Sequence, residues 1–310
     1  MLAQPHPNRR DPVAETGHRR ELKYPEVPEP LGALCYDNHT HLEIEDGEVG
    51  LDVVEHMDLA ARAGIAGAIT VGGDVASSRW QVEAANREPR LLAAVAIHPN
   101  EAPRLAAAGG LEAALDEIEA LAHDERVAAI GETGLDYYRT SGDDNLRAQL
   151  ESFERHIDLA KRLGRPMQIH DREAHDDVVA TLRRVGAPAG TVFHCFSGDA
   201  ALARIAADEG WFVSFAGNVT FKNAPNLREA LEVLPRELVL VETDAPFLTP
   251  IPFRGRPNAP YLVPVTVRFM AEHLGADADA LAARIAENTL GLYGPFEPEA
   301  RRAWLAERAA

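Results

Sequence analysis

From Ala33 onward, short apolar runs alternate with longer stretches whose apolar residues recur every three or four positions. The short runs predict strands and the longer ones predict amphipathic helices. Eight strand-like runs stand out: 33–39, 67–72, 91–97, 127–132, 166–170, 190–196, 211–215 and 238–244. The clearest helical run is 144–163, where Leu146, Leu150, Phe153, Ile157, Ala160 and Leu163 share one face. Two further helical runs, about 262–274 and 277–288, follow the last strand. A helical segment after every strand implies parallel pairing. Eight such units imply an α/β architecture, a (β/α)8 TIM barrel.

Residues 1–32 break this pattern. They are rich in Pro, Arg, Glu and His and show no periodicity, so they read as a flexible N-terminal extension. Residues 33–310 read as a single barrel domain. With no apolar stripe to dock, the extension is expected to be dispensable for folding and hydrolysis.

No stretch approaches about 18 consecutive apolar residues, so no membrane span is expected. The pairs Arg9-Arg10 and Arg19-Arg20 lack the apolar segment of a twin-arginine export signal. A formal net charge of -18 argues against a scaffold that holds nucleic acid on a broadly basic surface. It leaves room for an enzyme that meets phosphate through metal ions and a few arginines. Cys35 and Cys195 lie in apolar runs and read as buried, reduced thiols of a cytoplasmic protein. No obligate protein partner is evident.

In a barrel of this kind the chemistry sits at the C-terminal ends of the strands. The first strand ends in His39 and His41, two apart and therefore facing the same way. The third runs into His98, the fourth ends in Glu132, the fifth in His170, the sixth carries His194 and the eighth ends in Asp244. Imidazoles and carboxylates gathered in this way predict a metal site suited to zinc, manganese, iron or magnesium. Leaving His98 aside, the four histidines His39, His41, His170 and His194 and the two carboxylates exceed the needs of one ion, so two divalent ions sharing a bridging carboxylate are expected. Glu132 suits the bridge, because Lys23, Lys161 and Lys222 are the only lysines and none ends the fourth strand. Asp37 and Glu242 share the inward parity and could accept hydrogen bonds beneath the metals.

With those residues placed, the sequence resembles the TatD family of metal-dependent hydrolases, over about 33–295. The motifs that carry the resemblance are Asp37-Asn38-His39-Thr40-His41-Leu42, Gly131-Glu132-Thr133-Gly134-Leu135-Asp136-Tyr137-Tyr138 and Ile169-His170-Asp171-Arg172. To these are added His194-Cys195-Phe196-Ser197-Gly198 and Glu242-Thr243-Asp244-Ala245-Pro246-Phe247-Leu248. The resemblance implies one ion on His39, His41, Glu132 and Asp244, and another on Glu132, His170 and His194. It implies a deoxyribonuclease of exonuclease type, using Mg, Mn or Zn, with DNA as substrate. Asp244 and Glu132 would be catalytic, Asp244 as the acceptor of the water's proton.

Arg254 matches a basic residue in the family's loop after the last strand, although Pro257 and Ala259 replace a second base and an acid. Arg254 is therefore an expected substrate contact, with a solvated loop arginine as the alternative; His98, outside the family's ligand set, is separately expected to contact a substrate phosphate. Tyr137 and Tyr138 could stack on a base or pack on the barrel rim, and Asp136 is expected to anchor their loop. The competing function is hydrolysis of a C–N or ester bond in a small molecule at the same binuclear site.

Overall fold

The computed structural model describes residues 9–13, 17 and 19–309. Its eight strands are β1 Cys35–Thr40, β2 Ile65–Val71, β3 Leu91–Val95, β4 Val127–Asp136, β5 Met167–Arg172, β6 Thr191–Phe193, β7 Phe212–Phe215 and β8 Val239–Val241. They form one sheet in the order β1 to β8, the strand order of a (β/α)8 barrel, with parallel pairing. The helices are α1 Val53–Arg62, α2 Val75–Arg87, α3 Ala102–Ala107, α4 Leu111–Ala122, α5 Asp143–Leu163, α6 His175–Val185, α7 Ala200–Glu209, α8 Pro225–Val233, α9 Val263–Leu274, α10 Ala278–Tyr293 and α11 Pro298–Ala309.

Local chemistry explains where the helices start and stop. Asp52 and Glu55 form a reciprocal capping box at α1, and Asp74 with Ser77 does the same at α2. Helix α5 carries Asp143 and Asp144 in its first turn and Lys161 and Arg162 in its last, and it ends at Gly164 with φ 61°. Both features match the helix dipole and the left-handed stop that glycine allows. The sequence reading differs from the structure notably in four elements. Strand β4 runs four residues past 132, β6 and β8 end before His194 and Asp244, and α11 was not anticipated.

The chain forms two compact units. The first comprises residues 1–70 and 198–291. Its core includes Met57, Ile69, Val213, Phe215, Tyr261, Val267 and Met270, all buried. Within it the last strand returns to the first: Asp244 N donates to His39 O at 2.9 Å and His41 N to Ala245 O at 2.7 Å. Buried Asp37 clasps this junction, accepting from Thr243 N at 2.9 Å, Thr243 Oγ1 at 2.5 Å and His39 N at 3.2 Å.

The second unit comprises residues 71–197 and 292–310. Its core is built on Leu91, Leu92, Val95, Ile130, Phe153, Ile157, Ile169 and Phe193. Buried His156 on α5 braces two strands. Ile97 N donates to its Nε2 at 3.1 Å, so the ring proton lies on Nδ1, 2.7 Å from Ser152 O.

The described part of the N-terminal segment makes contacts that the sequence reading does not anticipate. Residues 1–8, 14–16 and 18 lie outside the described residues, but the rest of 9–32 is tied to the first unit rather than projecting from it. Arg20 forms a two-pronged ion pair with buried Asp46 at 2.9 and 2.6 Å. Glu48 N donates to Leu22 O, Arg256 to the carbonyls of Lys23 and Tyr24, and Tyr261 Oη to Pro25 O. Arg268 reaches the carbonyls of Glu29 and Pro30. The segment docks through guanidinium and backbone hydrogen bonds, which leave no apolar periodicity to read.

Candidate functional site

In the first unit, His39 closes β1 from within and His41 stands just past its end. Their Nε2 atoms are 3.2 Å apart, and Asp244 Oδ1 lies 3.6 Å from His41 Nε2 and 4.0 Å from His39 Nε2. Ligand atoms about 2.1 Å from a tetrahedral cation sit roughly 3.4 Å from one another. The three donors therefore converge as ligands of one ion would. Asp244 reaches this position from a turn. Its φ is 52°, left-handed backbone that Asp tolerates better than most residues, and Phe247 N closes the turn on Asp244 O at 2.8 Å.

Asp37 supports this cluster through the backbone rather than through an imidazole. Burial, with the charge of Glu242 adding, pushes its carboxyl up to about 7 against the hydrogen bonds from Thr243 and His39. Phe247 lies edge-on to His41, with ring centroids 6.3 Å apart. Arg254 stands on the loop after β8, its guanidinium 4.2 Å from the centre of the Phe221 ring.

The second unit holds the other expected residues. Glu132 is buried, with its Oε2 2.8 Å from His194 Nε2, 3.2 Å from His170 Nδ1 and 3.8 Å from His98 Nε2. Two glycines make this crowding possible. A Cβ on Gly131 would lie 2.7 Å from Gln168 Cβ, and one on Gly134 would lie 2.0 Å from His170 O. Burial pushes the Glu132 carboxyl up, but His98, His194 and the hydrogen bonds from His170 and His194 outweigh it and hold the carboxyl well below its usual range. A buried anion facing several imidazoles suits a divalent cation.

Asp136, which sequence reasoning assigned to anchoring a loop, also orients a candidate ligand. Its Oδ2 lies 3.2 Å from His170 Nε2 and accepts from Asn100 Nδ2 at 2.9 Å, while Oδ1 accepts from Arg139 N at 2.8 Å. Burial alone would raise the Asp136 carboxyl; the His170, Arg139 and Asn100 hydrogen bonds lower it instead. A carboxylate on Nε2 leaves Nδ1 of His170 as the ligand atom facing Glu132. The missed signal was parity: with β4 extended to 136, Glu132 and Asp136 are four residues apart on one strand.

His98 is fixed in one tautomer. Asn100 N donates to its Nδ1 at 3.0 Å, so the proton of the neutral ring sits on Nε2, the atom facing Glu132. Burial holds the ring neutral, down to about 3, with Glu132 pulling the other way. Of the two tyrosines, Tyr137 donates to Asp177 at 2.6 Å, and exposed Tyr138 carries the Arg172 guanidinium 3.9 Å over its ring.

These candidate donor sets accord with what the chain is similar to. Residues 36–294 match the family described as TatD related DNase. The uncharacterized metal-dependent hydrolase TatD of Mycobacterium tuberculosis is 44% identical over 261 residues, covering 83% of this chain and 97% of that one. The uncharacterized metal-dependent hydrolase YabD of Bacillus subtilis is 35% identical over 261 residues, covering 84% and 99%. Among solved structures, the TatD homolog YJJV of Escherichia coli superposes with a TM-score of 0.76 at 26% identity, covering 84% of this chain and 98% of that one. By its matched length, its barrel and its histidine–carboxylate clusters, the chain belongs to the TatD family of metal-dependent hydrolases.

Proposed function

We propose that the protein is a deoxyribonuclease, a phosphodiesterase that releases nucleotides from DNA ends in the cytoplasm. The observation that carries this reading is Glu132, a buried, ionised carboxylate with imidazole nitrogens of His170 and His194 within 3.2 Å. His39, His41 and Asp244 offer a second convergent donor set. The donor chemistry of the two sets fits two divalent ions (Mg, Mn or Zn). The nucleic-acid substrate is supported by the family's name and by Arg254 on the loop after β8.

When bound, the cations supply Lewis acidity, lowering the pKa of a water and drawing charge from a phosphoryl oxygen. The Asp244 carboxylate takes the proton of the attacking water and returns it to the leaving oxygen. His98 offers its Nε2–H to a phosphoryl oxygen as a fixed donor that needs no reorientation. Arg254 balances the negative charge of the phosphate.

The test is release of nucleotides from end-labelled DNA by chelator-stripped protein resupplied with Mg, Mn or Zn, beside a panel of amides and lactones. Release should vanish with chelation and return with metal. Turnover of an amide or lactone with DNA left intact would replace this reading by hydrolysis of a small-molecule C–N or ester bond.

A further inference from the structure

The N-terminal segment brings a second arginine to the rim of the His39, His41 and Asp244 cluster. Arg10 is fastened by its backbone, with its N donating to Glu45 O at 2.9 Å. Its side chain crosses to the turn after β8, where Nη1 donates to Pro246 O and the guanidinium lies 5.3 Å from the centre of the Phe247 ring. Phe247 is the ring that stands edge-on to His41. All of these residues belong to the first unit.

The charge balance around Arg10 is uneven. Asp46 faces two guanidiniums, and Arg20 holds both of its oxygens at 2.9 and 2.6 Å, while Arg10 Nη1 is 3.4 Å away. One carboxylate thus serves two cations, and the closer one saturates it. Arg10 keeps a surplus positive charge in a half-buried place, with its side chain 23% exposed against 3% for Arg20. Among the described residues, its Nε and Nη2 have no hydrogen-bond partner. A partly desolvated guanidinium with spare donors, held beside a ring, is built to take an anion. In a chain of net charge -18, such a local excess of positive charge also offsets repulsion of a polyanion.

We propose that Arg10, supplied by a segment lying outside the family match, is a substrate-binding residue that takes a phosphate flanking the scissile one. The inference rests on the nuclease reading of the same site and adds a specificity contact to it. Arg9 is the natural control. It lies on the same arm, but its guanidinium is spent on Glu45 and the carbonyls of Gly47 and Glu48.

The experiment measures equilibrium binding of two probes to the metal-loaded full-length protein: a phosphorothioate-linked single-stranded hexanucleotide and inorganic phosphate. Arg10→Met should weaken the hexanucleotide at least about tenfold and reduce the slope of log affinity against log salt by about 0.7, the share of one phosphate contact on a single strand. Arg9→Met, with the same change of net charge, should leave both values near wild type. Equal effects of the two variants, or none, would overturn the proposal.

Unfolding midpoints show whether the arm stays docked. If Arg10→Met loosens it, Arg10→Lys decides, since the docked lysine must keep the salt slope; a reduced slope there also overturns the contact. If wild type ignores the hexanucleotide but holds phosphate more tightly than Arg10→Met, the anion contact stands and the nucleic-acid reading falls.

Discussion

Asp136 and Asp244 are both carboxylates near candidate ligands, yet removing their charges should have different consequences. Asp136 holds the proton on Nε2 of His170, so Asp136→Asn should weaken metal binding about 10–100-fold, the usual scale for losing an orienting partner. A metal-competition titration reads this without any assay of turnover, and unchanged affinity would show that His170 needs no such help. Asp244→Asn, assayed at saturating metal, should lose at least about a hundredfold in turnover, because the proton acceptor is gone. Arg254→Ala should act on substrate, costing about 1.5–3 kcal/mol of catalytic efficiency on multiply charged substrates and little on neutral ones. Equal losses on charged and neutral substrates would make the stack on Phe221 a purely structural feature. At this scale the sequence was legible where residue type and strand period coincide. His39, His41 and Asp244 converge in the first unit and Glu132 lies against His170 and His194 in the second, each of the six on a strand or just past one. Asp136 was obscured because the apolar run fades after 132 while the strand continues through glycine and threonine.

Strands and helices were readable from apolar spacing, and α5 and α9 fall within a residue of the expected runs. The ends of β6 and β8 were not readable: the chain must leave the ladder to point His194 and Asp244, and that departure carries no apolar mark. The N-terminal arm shows the same limit more fully, since its docking uses arginines, carboxylates and carbonyls. The consequence is measurable. Deleting residues 1–30 removes Arg20 from a carboxylate whose side chain is 1% exposed. Parting a buried ion pair costs about 3–5 kcal/mol, less whatever water regains at Asp46, so the melting temperature should fall by on the order of 5–10 °C. An unchanged melting temperature would mean that the arm is bound too weakly to matter and would restore the expectation of a dispensable extension.

For the molecule as a whole, two buried imidazoles away from the candidate site contribute to its loss of stability in acid. Burial holds His56 and His156 down to about 4, with Asp52 pulling the first upward and Ser152 the second. The unfolded chain binds their protons near 6.5, so between 6.5 and about 4 it holds more protons than the native state. The stability from both is fully present above pH 6.5 and is lost as pH falls toward 4, by up to about 3 kcal/mol for each. Denaturant unfolding of chelator-treated protein from pH 7 to 4.5 should show this decline, and His156→Gln should flatten it. Stability constant across that range would contradict the neutral assignment.

The clasp of Asp37 on Thr243 also has a bearing on how the protein is made. The two residues are 206 positions apart, and His39 and Asp244 are separated almost as widely. At a ribosomal rate of about 5–20 residues per second, the first strand is synthesised roughly 10–40 s before its partner. Through that interval the nascent chain carries the His39 and His41 pair without the carboxylate that completes it. The cluster is thus assembled only after the last strand has been made, long after its two histidines.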